Sequence, residues 1–138
     1  MTFPKESRGK DNRYSYSYLF DFTSKVLQKM GFSEDDSDQC AKVFLAAEMR
    51  GISTHGVIRL ADYFKLWEAG RINVGPNIRT VHESPSTAVI DGDGTIGMLP
   101  ALKAMRTAVE KAKTAGTGWV SVRNSSNFGI AGDRKSVV

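Results

Sequence analysis

One of the chain's two histidines sits in Gly51-Ile52-Ser53-Thr54-His55-Gly56-Val57-Ile58-Arg59, between a hydroxyl and a glycine, with an arginine four residues beyond. Imidazole titrates near neutrality, so His55 can both give and take a proton. Arg59 offers a planar fork of donors that suits a carboxylate better than lysine would. Residues four apart on a helix share a face. With a helix running from Val57, the spacing predicts that Arg59 projects from the helix whose first turn His55 enters, on one wall of a cleft. A 2-oxo or 2-hydroxy acid needs such a pair, because its carboxylate must be held while the oxygen on the next carbon exchanges a proton. The plainer alternatives are a histidine that caps or packs, and an arginine paired with Asp62 at the surface.

These residues need elements to position them. Leu19, Phe22, Val26, Leu27 and Met30 recur at helical spacing, with Gly31 as a stop. Ser33 followed by Glu34, Asp35 and Asp36 forms a capping signal with acids in the first turn. Cys40, Val43, Phe44 and Ala47 give that second helix an apolar face, and a third helix is expected from Val57 to Gly70. At Arg71 the texture changes. Residues 78–83 and 87–91 read as two short strands around Ser84-Pro85; Leu102 to Ala112 mark a fourth helix ending near Gly116; residues 119–122 read as a further strand. The fold class is therefore α/β, and α+β within this chain: a helical layer over 13–70 carrying the substrate-site residues, then the start of a mixed-sheet unit over 71–132.

The 138 residues suffice for about one domain, and 41% hydrophobic with 25% charged residues is ordinary for a globular protein. No apolar run approaches the roughly 18 residues of a membrane span. The net charge of +4 is spread along the chain without a basic, aromatic-laced stripe, so neither nucleic acid nor membrane is an expected partner. A single cysteine, Cys40, precludes an intramolecular disulfide, falls in apolar helical register as a buried thiol, and fits a reducing, cytoplasmic setting. His82, beside Glu83 in the expected hairpin, reads as an exposed strand residue.

Further motifs make a specific resemblance. Arg50-Gly51, Thr54-His55-Gly56-Val57, Arg59-Leu60, Tyr63, Ala69-Gly70-Arg71-Ile72-Asn73, Val89-Ile90-Asp91-Gly92-Asp93-Gly94, Gly97 and Asn124 to Gly132 occur in one order. In that order, from about Tyr14 to Gly132, the chain resembles the malate/L-lactate dehydrogenase family that lacks a Rossmann fold, which also holds ureidoglycolate, sulfolactate and imino-acid-reducing members. The resemblance implies a non-Rossmann cofactor domain, NAD or NADP as cofactor, a small 2-oxo or 2-hydroxy acid as substrate, and a homodimeric full-length protein. It implies that His55 donates a proton to the substrate carbonyl oxygen as hydride arrives, that Thr54, where the family usually has serine, belongs to a proton relay, and that Arg59 grips the carboxylate. It places Asn127, Phe128, Gly129, Ile130 and Ala131 against the cofactor. Asn127 stands where the family has histidine; asparagine hydrogen-bonds but does not exchange protons near neutral pH. Either His55 then does all the acid/base work, or catalysis at this site is altered or lost.

Two alternatives accompany this reading. Gly92-Asp93-Gly94-Thr95-Ile96-Gly97 satisfies G-x-G-x-x-G between an expected strand and helix, the setting of a Rossmann-type NADP reductase. A non-catalytic helical module could instead use His55 and Arg59 to bind an acidic partner. At the ends, the polar residues 1–12 read as a disordered lead. The terminal Asp133-Arg134-Lys135-Ser136-Val137-Val138 reads as a non-native tail of the kind that a sequencing adapter encodes. On that reading the chain is an N-terminal fragment, inactive by itself.

Overall fold

The computed structural model describes residues 13–132; the expected disordered lead and non-native tail lie outside the described residues. Helix α1 spans Tyr16–Met30, capped by Ser15, whose Oγ accepts the Tyr18 N–H. It ends at Gly31, whose φ of 108° is open to glycine and strained for other residues. Helix α2, Glu34–Met49, starts as the sequence predicts: Ser33 Oγ accepts the Asp36 N–H at 3.2 Å, and three acids occupy the positive end of the helix. Leu27 and Met30 of α1 pack on Cys40, Val43, Phe44, Leu45 and Ala47 of α2, while Phe22 stays largely exposed.

The third helix begins at Val57 as expected, but in a tight first turn that leaves His55 outside it. Two separate 3-10 turns, Ser53–His55 and Val57–Arg59, precede a shorter α3 over Leu60–Glu68. Between the turns Gly56 is extended, at φ −86° and ψ −153°, which breaks the helical ladder. His55 and Arg59 therefore do not share a helix face. What brings them together is the fold of two turns against α2.

Strand β1 (Arg79–Glu83) pairs antiparallel with β2 (Thr87–Thr95), and β2 pairs parallel with β3 (Trp119–Ser125), giving the order β1-β2-β3. Helix α4, Met98–Ala115, makes the crossover from β2 to β3 and stops at left-handed Gly116. Lys111, nearly buried, donates to Glu83 Oε1 at 2.8 Å and Ser84 O at 2.6 Å, stapling α4 to the hairpin. His82 is exposed on β1, as expected.

The strands also run further than the sequence suggested, and this decides the Gly92-to-Gly97 segment. Gly92 and Gly94 lie inside β2, at the register shift between Asp91 and Thr95. A Cβ on Gly92 would stand 2.9 Å from Asn124 O, so β3 itself occupies the space that the missing side chain leaves. At the start of α4 the Gly97 N–H is spent on Asn127 O at 3.1 Å and on Ser126 Oγ at 3.3 Å. A pyrophosphate needs open amides at that helix start. The Rossmann-type reading of Gly92, Gly94 and Gly97 is corrected accordingly: Gly92 and Gly97 serve close packing of β2, α4 and the loop after β3, and Gly94 takes a left-handed turn at φ 71°. One core crosses residue 71, with Ile96, Met98, Leu99 and Ile130 joining the helical cluster. Among the described residues no helix is long and apolar enough to cross a membrane.

Candidate active site

The loop after β3 folds back over α2 and α3, and a cavity of about 110 Å³ lies beneath it. His55, Arg59, Asp62, Tyr63 and Asn127 supply its polar lining; Phe44, Leu66 and Met98 supply apolar wall. The scale suits a ligand of few atoms and is far below the several hundred Å³ of sites for larger molecules. The two residues singled out by chemistry thus reach one cavity, although not by the helical geometry expected of them.

Thr54 Oγ1 lies 3.1 Å from His55 Nδ1, so the hydroxyl fixes one ring nitrogen and leaves Nε2 outside that contact. Arg59 donates from Nε to Thr54 O at 2.7 Å and from Nη1 to Asp62 Oδ2 at 2.9 Å. The ion pair with Asp62 is therefore real, yet both side chains are half exposed, at 50% and 54%. Such a pair is worth about 0–1 kcal/mol, little enough for a ligand carboxylate to replace it.

Tyr63 was part of a motif in the sequence; its work is visible only in space. Its hydroxyl donates to Asn127 O at 2.9 Å and lies 3.5 Å from Asn127 Oδ1, tying α3 to the loop after β3. Its ring meets Phe44 edge-on, with centroids 5.6 Å apart. Burial, with a smaller contribution from Cys40, pushes the phenol up to about 12, so it acts as a neutral donor.

The five loop residues divide by role. Asn127 and Gly129 line the cavity. The Asn127 side chain turns back on its own loop, Oδ1 accepting the Gly129 N–H at 2.7 Å, so it braces the loop. Gly129 is left-handed, at φ 80°, and a Cβ there would stand 2.9 Å from Val43 Cγ1. Ile130 is buried in the core, whereas Phe128 (46%) and Ala131 are exposed. Glu48 is a further participant that carried no local signal: its Oε1 accepts the Val57 N–H, nine residues on and across a glycine, at 2.7 Å. Among the described residues no three or more histidines, cysteines or acids are grouped to hold a metal ion.

A second polar cluster lies on the sheet. Asp91 accepts from the Asp93 N–H at 2.9 Å, Asn124 Nδ2 at 3.1 Å and Arg123 Nη2 at 3.1 Å. Those bonds, the Asp93 amide foremost, hold its carboxyl below the usual range.

A model of the malate/L-lactate dehydrogenase family matches residues 14–136. The chain belongs to this family. It is 46% identical over 107 residues to an L-sulfolactate dehydrogenase of Methanocaldococcus jannaschii, covering 78% of this chain and 31% of that protein. It is 45% identical over 114 residues to a malate dehydrogenase of Pyrococcus abyssi, covering 83% and 32%. Among solved structures, the malate dehydrogenase of Pyrococcus horikoshii OT3 superposes with a TM-score of 0.88 at 39% identity, over 91% of this chain and 36% of that one. The M. jannaschii sulfolactate dehydrogenase gives 0.87 at 40%, over 89% and 36%. The α+β architecture is thus that of family members, and the chain spans about a third of the length of the curated relatives it matches.

Proposed function

We propose that this chain is the substrate-recognising portion of a nicotinamide-dependent 2-hydroxy acid dehydrogenase that interconverts a small 2-oxo acid and its 2-hydroxy acid. The observation that carries the reading is the meeting of His55 and Arg59 at one small cavity. Arg59 exchanges the Asp62 carboxylate for that of the substrate, setting the neighbouring carbonyl toward the imidazole. His55 gives its proton to the carbonyl oxygen during reduction and takes it back during oxidation. Thr54, bonded to Nδ1, holds the ring and passes protons to and from it. Tyr63 holds the cavity wall closed through Asn127, and Phe44, Leu66 and Met98 keep water from the reacting carbon.

When bound, the nicotinamide, NAD or NADP, would supply hydride in its reduced form and accept it in its oxidised form. The exposed Phe128 ring and the main chain of Gly129 and Ala131 fit a planar heterocycle; Asn127, with its carboxamide oxygen spent on Gly129, and Ile130, buried, act by shaping that loop. The remaining cofactor contacts then belong to polypeptide that the longer relatives possess, and this segment alone is expected to turn over nothing. The full-length protein is read as a homodimer.

The test is nicotinamide absorbance on the full-length protein with a panel of 2-oxo acids. Reduction of 2-oxo acids to malate- or lactate-type products is expected, with His55→Ala nearly inactive and Arg59→Lys raised in KM. Wild-type rates in His55→Ala would overturn the mechanism. Binding of an acidic peptide without turnover of any acid would favour a helical binding module.

A further inference from the structure

Gly56 separates the turn that carries His55 from the turn that carries Arg59, and the atoms closest to the side chain it lacks all belong to Glu48. A Cβ on Gly56 would overlap the Glu48 carboxylate and stand 2.9 Å from its Cγ. That same carboxylate accepts the Val57 N–H at 2.7 Å. Its helix cannot follow a wandering loop. Leu45 and Ala47, just before Glu48, are fully buried, and the end of α2 is tied down by the Ile52 N–H on Ala47 O and the Gly51 N–H on Glu48 O, both at 2.9 Å.

We propose that Glu48 is a positioning residue, which fixes the angle between the two 3-10 turns and thereby the separation of the His55 imidazole from the Arg59 guanidinium. The inference rests on the roles of acid and clamp given above. A carboxylate on a backbone N–H at the start of a helical turn is a charge-assisted cap, stronger than a neutral one. Gly56 is at once the weak point and the requirement. Without a Cβ it explores more backbone conformations than any other residue, yet only without a Cβ can the carboxylate come close enough to hold it. Removing the carboxylate leaves the Val57 N–H without its partner and the hinge free to open.

The test is a double-mutant cycle in the full-length protein, joined to nuclear magnetic resonance of the Val57 amide. Glu48→Ala is expected to lower kcat/KM by on the order of 10- to 100-fold, the scale of an ångström-sized misplacement. Both kcat and KM should move, since His55 governs the first and Arg59 the second. Glu48→Gln, which keeps an acceptor oxygen, should restore most of the loss. Gly56→Ala alone should impair as Glu48→Ala does, and the double variant should be no worse than Glu48→Ala, because the overlapping carboxylate is gone. Additive losses, a Glu48→Gln variant as poor as Glu48→Ala, or a folded Glu48→Ala with wild-type kinetics would overturn the proposal. Should the wild type reduce no 2-oxo acid, the functional reading fails by itself. The Val57 amide still decides the geometry: its hydrogen exchange must quicken in Glu48→Ala and not in Glu48→Gln, and equal protection in all three sinks the inference.

Discussion

Two glycine-punctuated segments of this chain look alike as strings and differ as objects. Residues 51–59 and residues 91–97 each set glycines beside polar side chains where a helix is about to begin. In the first, the imidazole and a half-exposed arginine side chain line a cavity, and the one committed ion pair is exposed and weak. In the second, the donors and acceptors are consumed internally. Asp91 is saturated by Asp93, Asn124 and Arg123, Asp93 takes Asn73 Nδ2 and the Asn77 N–H at 3.0 Å each, and the Gly97 amide is filled by the loop after β3. Glycine followed by polar residues therefore marks close approach of some backbone. Whether a ligand or the protein itself makes that approach is decided by what else arrives there.

The sharpest way to break this contrast is to strike each segment at its centre. His55→Ala should lower the turnover of the full-length protein by about 10²–10⁴-fold, the usual range for a lost general acid, with an unchanged unfolding midpoint. Kinetics and thermal unfolding on the same sample would separate the two effects. Gly97→Ala should do the opposite. A Cβ there meets the main chain of Ser126 and Asn127, which must shift, at a cost of about 1–3 kcal/mol in urea unfolding. The loss should appear first in stability; lost nicotinamide affinity at full stability would revive a phosphate-binding role for that turn.

The contrast extends to pH. Asp91 has a folded pKa below its unfolded one, so its contribution to stability is present above about pH 4, where the unfolded carboxyl is ionised, and fades as pH falls through the lower folded value. Asp91→Asn should flatten that acid limb. Tyr63 lies the other way, pushed up to about 12. Its contribution is present below pH 10 and is lost as pH rises toward 12, and Tyr63→Phe should remove that alkaline limb. Unfolding midpoints across the pH range test both. The smallest effect is expected at Asp62: Asp62→Asn frees Arg59 from its exposed partner and should lower KM for the acid by a few-fold, within the ~1 kcal/mol of such pairs. A raised KM would mean that Asp62 orients the arginine.

Much of this was legible beforehand, for reasons that can be named. The Ser33 cap, the stops at Gly31 and Gly116, the burial of Cys40 and the hairpin expected over 78–83 and 87–91 all follow from interactions within a few residues, where spacing is geometry. The helix expected from Val57 does begin there, as a 3-10 turn that runs into α3, but His55 stays outside it: Gly56 is extended, and Glu48, nine positions upstream of Val57, takes the Val57 N–H. Both β2 and β3 outran their expected ends because pairing across the crossover, with Thr95 opposite Ser125, carries strand through a glycine-rich stretch that local propensity reads as loop. Tyr63 joins Asn127 over 64 residues of chain, a separation at which no periodicity operates.

By itself the sequence determined the family, through ordered motifs, and the chemistry on offer, through residue type: an imidazole that can give and take a proton and a fork that fits a carboxylate. Where those groups meet was decided by tertiary structure. His55 and Arg59 share a cavity because α2, two short turns and the loop after β3 close on one another, and Glu48 and Tyr63 supply the hydrogen bonds that hold them there. Side-chain chemistry is a property of one residue and survives any fold, whereas a distance across a cavity depends on every element that packs around it.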